Sequence, residues 1–316
     1  HMNIRRPKWG LALGGGGARG IAHVGVLKIL QREHLIPDVI TGTSIGALVG
    51  GAFACRPDAN ALEERLYEVL ATDSNENRPL KQIARLNWSG KPDSTVFNRL
   101  LRSVQKEIFL GMALFRNGVW STDELRSSVS AFIPKGMDLT ETPIRFVPLA
   151  VDLLTGEPVL IDKGPVTEAV MASCAVPGFM PPVPVGNALL MDGGLADLIP
   201  ARAARTCGAQ KVISVDVGIQ LCHETRIEDG VDAINRATEI MGYHLGNDAR
   251  TSSDLLIRPL KTHCPWTDFQ SYRELVHQGE AATEAALDDI CRLVRKPAPG
   301  WGWKPASIWT HLLSWL

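Results

Sequence analysis

The sequence holds little that would mark a secreted, metal-binding or nucleic-acid-binding protein. Its six cysteines among 316 residues are scattered, at Cys55, Cys174, Cys207, Cys222, Cys264 and Cys291, and no Cys-x-x-Cys pair occurs. In a chain of this length that pattern predicts reduced, buried thiols in a cytosolic protein rather than a disulfide framework. The cysteines and the eight histidines show no metal-ligand spacing, so neither a metal site nor a metal cofactor is expected. Charge of either sign is in no surplus: 33 Lys and Arg against 34 Asp and Glu leave a formal net charge of −1. Without a basic block, nucleic acid is not an expected partner. No apolar run reaches the ~20 residues of a spanning helix, so any membrane contact is expected to be peripheral. The basic opening Asn3-Ile4-Arg5-Arg6-Pro7-Lys8 leads into Gly-rich sequence instead of an apolar core, and no secretory signal is expected. Internal repeats and low-complexity segments are also lacking. A chain 45% hydrophobic and 21% charged has an ordinary globular composition and can bury one substantial core.

What the sequence does hold is glycine in two turns. The first, Gly14-Gly15-Gly16-Gly17-Ala18-Arg19-Gly20, follows the short apolar run Trp9–Leu13. The second, Gly42-Thr43-Ser44-Ile45-Gly46, follows Val39-Ile40. Each lies between an expected strand and an expected helix, so both should open on one edge of a parallel sheet. The Gly-x-Ser-x-Gly spacing is that of a nucleophile elbow, a strained turn presenting a serine hydroxyl, with Gly42 and Gly46 allowing close backbone approach. The Gly-rich turn offers unencumbered backbone N–H groups that could face a developing oxyanion.

Along the chain, helices are expected at about Arg19–Arg32, Ile45–Cys55 and Asn60–Ala71. Gly25 inside the first of these suggests a close neighbour. Thr72 to Val96 has no sustained period and reads as a long surface excursion, either a lid or a plain connection. Phe97 to Phe109 marks an amphipathic helix, and Ser121 with Glu124 makes a capping box for the next. Strands are expected at Arg145–Val151 and Pro158–Ile161, joined by a hairpin-like turn, then at Leu189–Met191, Lys211–Val217 and Asp254–Arg258. Between and after them come helices at Thr167–Ala175, Ala201–Cys207, Ala233–Leu245 and Tyr272–Arg295. The alternation indicates an α/β fold, a mainly parallel sheet covered on both faces.

The glycine turn also fits Gly-x-Gly-x-x-Gly through Gly15, Gly17 and Gly20, as in a dinucleotide-binding oxidoreductase. Such a fold wants an acid at the end of the second strand. Here Asp38 precedes that strand, and Thr43-Ser44 stands at its end. A serine needs a base to take its proton. His223, His244, His263, His277 and His311 follow Asp192, so a Ser…Asp…His order is formally available, but none lies on a glycine-built strand-end loop. His23 and His34 precede the serine. All seven read as surface or packing residues. Asp192, after an apolar strand and before Gly193-Gly194, suits a carboxylate whose pKa is lifted by desolvation. Asp152 and Asp216 read as turn and cap residues.

These motifs resemble those of the patatin-like phospholipase family. Gly15–Gly20 matches its oxyanion-hole element, Gly42–Gly46 its nucleophile elbow, and Asp192-Gly193-Gly194 the block carrying its acid. Ala172-Ser173-Cys174-Ala175-Val176-Pro177 resembles the element preceding that acid. The likeness covers roughly Lys8 to Arg295 and is nearest to short bacterial members related to neuropathy target esterase. The resemblance implies a three-layer α/β/α sandwich, a lipid ester substrate and no cofactor. It implies Ser44 as nucleophile, Asp192 as the base of a dyad, Gly15, Gly16 and Gly17 as oxyanion-hole amides, and Arg19 as a supporting cation.

The hydrolase-like domain is expected over residues 3–296, with a separate tail at 297–316. If Pro305 starts a helix, Ile308, Trp309, Leu312, Leu313 and Leu316 share one face. Tryptophan beside Lys296 and Lys304 suits a peripheral membrane contact; docking on its own domain or on a second subunit, as in a homo-oligomer, is the other reading.

Overall fold

The computed structural model describes residues 6–71, 120–218, 221, 227, 229–261 and 264–295, with backbone alone at 231, 235 and 248–250. The expected excursion after Thr72, the Phe97–Phe109 helix, the tail, and His223, His263 and His311 lie outside these residues. Among the described residues no helix is long and apolar enough to cross a membrane.

The described strands form one eight-stranded sheet whose hydrogen-bonded path runs β5-β6-β3-β2-β1-β7-β8, with β4 on β3. They are β1 (Trp9–Leu13), β2 (Val39–Thr43), β3 (Arg145–Asp152), β4 (Pro158–Leu160), β5 (Val183–Val185), β6 (Ala188–Asp192), β7 (Lys211–Val215) and β8 (Leu255–Ile257). The pairings from β3 through β8 along β2, β1 and β7 are parallel. Those of β3 with β4 and β6, and of β5 with β6, are antiparallel. Strand β5 is absent from the sequence expectations because Val183-Pro184-Val185 is too short to show a period, and proline demotes it to an edge.

The residues of β1 alternate large and small, and the alternation assigns the two faces. Leu11 and Leu13 join Ile40, Ile213 and Val215 in the main core. Ala12 joins Val39, Val212, Ala201 and Ala204 in a thinner core on the opposite face. The thick layer contains α1 (Ala22–Arg32), α2 (Ile45–Cys55), α3 (Ala59–Ala71), α4 (Thr122–Ser130) and α5 (Val166–Ser173). The thin face carries α6 (Ala201–Thr206), against which α7 (Gly230–Ser252) packs. The result is the expected α/β/α sandwich. The predicted capping box is formed: Ser121 accepts from the Glu124 amide, and the Glu124 carboxylate accepts from the Ser121 amide. A single long helix over Tyr272–Arg295 is not formed. It is divided at Ala286 into α8 (Tyr272–Ala285) and α9 (Leu287–Val294), because Ala286 leaves helical geometry with φ −95° and ψ 0°.

Helices α1 and α8 cross at their glycines. A Cβ on Gly25 would lie 2.0 Å from the Val276 carbonyl oxygen, and one on Gly279 would lie 2.0 Å from that of Ala22. This crossing explains a glycine that helix propensity alone disfavours by roughly 1 kcal/mol. Gly25→Ala is therefore expected to destabilise the protein in urea unfolding, although propensity alone would stabilise it. A gain in stability would show that the two helices do not approach this closely.

Candidate active site

The two glycine turns sit side by side because β1 and β2 pair in register, Leu13 opposite Gly42. Ser44 occupies the junction of β2 and α2 with φ 56° and ψ −126°, a conformation costly for a residue with a Cβ. The flanking residues must be small: a Cβ on Gly42 would meet the Gly46 carbonyl oxygen at 2.5 Å, and one on Gly46 would meet that of Leu13 at 2.2 Å. Both peptide groups of Ser44 are held by consecutive side chains at the end of α5. The Ser44 amide donates to Ser173 Oγ at 3.1 Å, and the Cys174 thiol donates to the Ser44 carbonyl at 3.1 Å. Ser173, fully buried, donates its own hydroxyl hydrogen bond to the Leu149 carbonyl at 2.6 Å. Burial pushes the Cys174 thiol pKa far up, so it acts here as a neutral donor.

Asp192 reaches the serine through strand register. On β3, Leu149 pairs with both Thr43 and Leu160, and Ala150 pairs with both Asp192 and Val159. Strand β4 takes one edge of β3, so β2 and β6 share the other and meet end to end between Leu149 and Ala150. The last residue of β6 is Asp192, and the residue after β2 is Ser44. The Asp192 carboxyl is buried, within hydrogen-bonding reach of the Ser44 side chain, and accepts from the Gly194 amide at 2.8 Å. Desolvation raises its pKa to about 6, against the opposing pull of the Ser44 and Gly194 hydrogen bonds. The loop beyond is tied over β2 by Thr43 Oγ1 donating to the Asp197 carbonyl and Thr41 Oγ1 to that of Pro200, at 3.0 and 2.9 Å.

In the Gly-rich turn the amides are not equivalent. Gly14 N–H donates to the Val215 carbonyl at 3.0 Å, Gly15 N–H to that of Leu198 at 2.9 Å, and Ala18 N–H to that of Trp266 at 2.7 Å. Gly16 and Gly17 are half-buried and their amides have no protein acceptor among the described residues. The expected trio of Gly15, Gly16 and Gly17 thus narrows to two, since the Gly15 proton is spent within the scaffold. Gly17 has φ +59°, and a Cβ there would lie 2.5 Å from the Trp266 carbonyl oxygen. Arg19 is buried, and its Nε donates to the Gly16 carbonyl at 3.0 Å. The planar peptide then turns the Gly17 N–H the opposite way. Burial lowers the Arg19 pKa to about 10, so the group stays a cation.

The competing carboxylates are committed elsewhere. Asp152 accepts from the amides of Leu154 and Leu189, which hold its pKa down. Asp216 pairs with Arg258 at 3.3 Å and accepts from the Gly218 amide. Among the described residues no histidine bonds Ser44 or Asp192: His34, His244 and His277 are exposed, and His23 bonds the Gly14 carbonyl. No described cluster of three or more His, Cys, Asp or Glu could hold a metal ion. At the end of β2, where a ribose-binding acid would stand, Thr43 and Ser44 are found. Sequence reasoning placed Ser173 and Thr43 inside motifs but missed the contacts they make, and it missed Thr41 and the Gly14 carbonyl partner of His23. Their roles depend on long-range contacts, and no local spacing signals them.

A family model described as patatin-like phospholipase matches residues 11–205. The chain is 30% identical over 228 residues to a patatin-like phospholipase domain-containing protein of Caenorhabditis elegans, covering 72% of this chain and 14% of that protein. It is 31% identical over 208 residues to an uncharacterized NTE family protein of Mycobacterium tuberculosis, covering 66% and 30%. With lysophospholipase NTE1 of Scheffersomyces stipitis it shares 28% identity over 209 residues, covering 66% and 12%. The chain thus spans less than a third of the length of each of these relatives. The crystal structure of VipD from Legionella pneumophila is similar with a TM-score of 0.46 and 17% identity, covering 90% of this chain and 67% of that one.

A carboxyl whose pKa is raised on folding stabilises the fold at low pH. That stability is complete below the unfolded value of 3.8 and is lost as pH rises through about 6. Asp192→Asn removes the desolvated charge while keeping an oxygen for the Gly194 amide. It is expected to stabilise the protein at neutral pH by on the order of 3 kcal/mol, and to leave stability near pH 3 unchanged. Urea unfolding at the two pH values checks both; equal effects would mean that the carboxyl is not desolvated.

Proposed function

The chain belongs to the patatin-like phospholipase family, and on that premise we propose that it is a serine acyl hydrolase cleaving carboxylic esters of lipids through a Ser44–Asp192 dyad. The observation carrying this is the strained Ser44 beside a buried carboxyl with pKa raised to about 6. A base poised near working pH is largely ionised at neutrality yet still basic enough to accept a proton. The lysophospholipase name of the Scheffersomyces stipitis relative supports a lysophospholipid or related lipid ester as substrate.

In the proposed reaction Ser44 Oγ attacks the ester carbonyl carbon as its proton passes to Asp192. The amides of Gly16 and Gly17 receive the oxyanion of the tetrahedral intermediate, and Arg19 holds the peptide between them. Collapse breaks the ester C–O bond, with the Asp192 proton going to the departing alcohol oxygen. Water then attacks the acyl-enzyme, giving its proton to Asp192. The second intermediate releases the fatty acid as that proton returns to Ser44. The cycle needs no metal or organic cofactor.

Hydrolysis of a lipid panel read by mass spectrometry tests this. Ser44→Ala and Asp192→Asn are each expected to reduce fatty-acid release to background while leaving a cooperatively folded protein. Arg19→Met should lower kcat by about 10²-fold, the scale of one lost oxyanion-hole donor. Undiminished release by Ser44→Ala would overturn the assignment.

A further inference from the structure

The mechanism leaves unused one buried titratable group close to the glycine turn. His23 lies in the first turn of α1, four residues after Arg19, and is fully shielded from solvent. Helical side chains tilt toward the amino terminus and so reach back over the preceding turn. Arg19 Nε meets the Gly16 carbonyl at 3.0 Å, and His23 Nε2 meets the Gly14 carbonyl at 2.8 Å. Arg19, on the 3-10 turn Gly17–Ile21, and His23, on the first turn of α1 directly after it, therefore take two carbonyls two residues apart.

A carbonyl accepts only, so Nε2 carries the proton and Nδ1 of the neutral ring carries a lone pair. That Nδ1 is buried and has no hydrogen-bond partner among the described residues. A buried unpartnered polar atom carries a net cost, and an apolar side chain at position 23 would avoid it. What the ring supplies in return is a donor to Gly14. Burial lowers the His23 pKa to about 4, which keeps that donor uncharged at working pH.

We propose that His23 is a positioning residue for the oxyanion-hole turn, its Nε2–H fixing the Gly14–Gly15 peptide from which the amides of Gly16 and Gly17 are hung. That peptide is held at both ends, its carbonyl by His23 and its N–H by the Leu198 carbonyl at 2.9 Å. Leu198 belongs to the loop after Asp192, so the same peptide links the glycine turn to the acid's loop. Without the His23 donor the plane has one tether, and rotation would shift the following amides. Misplacement of a reacting group by about 1 Å costs on the order of 10²-fold in rate.

The inference rests on the turn being the oxyanion hole, and the test separates the two. On the full chain with p-nitrophenyl butyrate, His23→Leu is expected to lower kcat about 10-fold or more, with KM within about twofold. His23→Gln, whose amide nitrogen reaches as far as Nε2, should restore kcat to within about threefold of the parent. Wild-type kcat in His23→Leu would overturn the proposal. So would equal losses in both variants accompanied by equal losses in thermal midpoint, since the ring would then serve packing alone. Nitrogen-15 NMR of histidine-labelled parent protein tests the geometry without relying on activity: a neutral His23 protonated at Nε2 is expected, and protonation at Nδ1 would overturn it. If the parent protein and Ser44→Ala show the same ester hydrolysis, the proposed function fails instead, whatever His23 does.

Discussion

The site depends on one feature of the sheet: β2 and β6 share a single edge of β3, entering from opposite ends. Parallel pairing of β2 stops at Leu149 and antiparallel pairing of β6 starts at Ala150. Two chain ends that arrive at one point need no loop to bring their side chains together. Ser44 and Asp192, 148 positions apart by their numbers, meet because the hydrogen-bond ladder has nowhere else to place them. Shifting either strand by one residue would turn every side chain to the opposite face and separate them.

Around that meeting point the scaffold carries several local costs at once. Ser44 is held in a backbone conformation that disfavours a side chain. Asp192 is desolvated, Arg19 is a buried cation, and one His23 nitrogen has no partner among the described residues. Each is small beside the apolar burial of the two cores, where a fully buried Leu or Ile contributes about 1.5–3 kcal/mol. The large layer of Leu11, Leu13, Ile40 and Ile213 offsets the strain stored at the carboxyl ends of the same strands. The common consequence is a site fixed before substrate arrives: Ser173 and Cys174 grip the serine peptide, and Arg19 and His23 grip the glycine turn. Pre-set dipoles need no reorganisation as charge develops.

The local features were legible in the sequence. Apolar runs ending in glycine turns located β1 and β2, and the helix Ile45–Cys55 is bounded as its small residues suggested. Ser121 and Glu124 announced their own cap. Of the antiparallel end, the β3–β4 hairpin and β6 were legible, but β5 was not, because Val183-Pro184-Val185 carries no periodic signal. The sequence showed a row of glycines but could not show that the amide of Gly15 is spent on Leu198, a residue 183 positions away by numbering. His23 looked like any helical histidine, since burial and a carbonyl partner are properties of packing. Asp192 was distinguishable from Asp152 and Asp216 by its Gly-Gly context. The structure adds the physical difference: two amides stabilise the Asp152 carboxylate, while Asp192 is desolvated.

The central claim is that a single carboxyl serves as the base for Ser44 with no histidine between them. The pH dependence of covalent labelling by a fluorophosphonate, with the adduct located by peptide mapping, tests it most directly. Labelling is expected on Ser44 alone, at a rate that rises through about pH 6 and then levels, and that falls to a trace in Asp192→Asn at every pH. A labelling rate that survives Asp192→Asn but collapses when His223 or His263 is replaced would contradict the dyad and put a triad in its place.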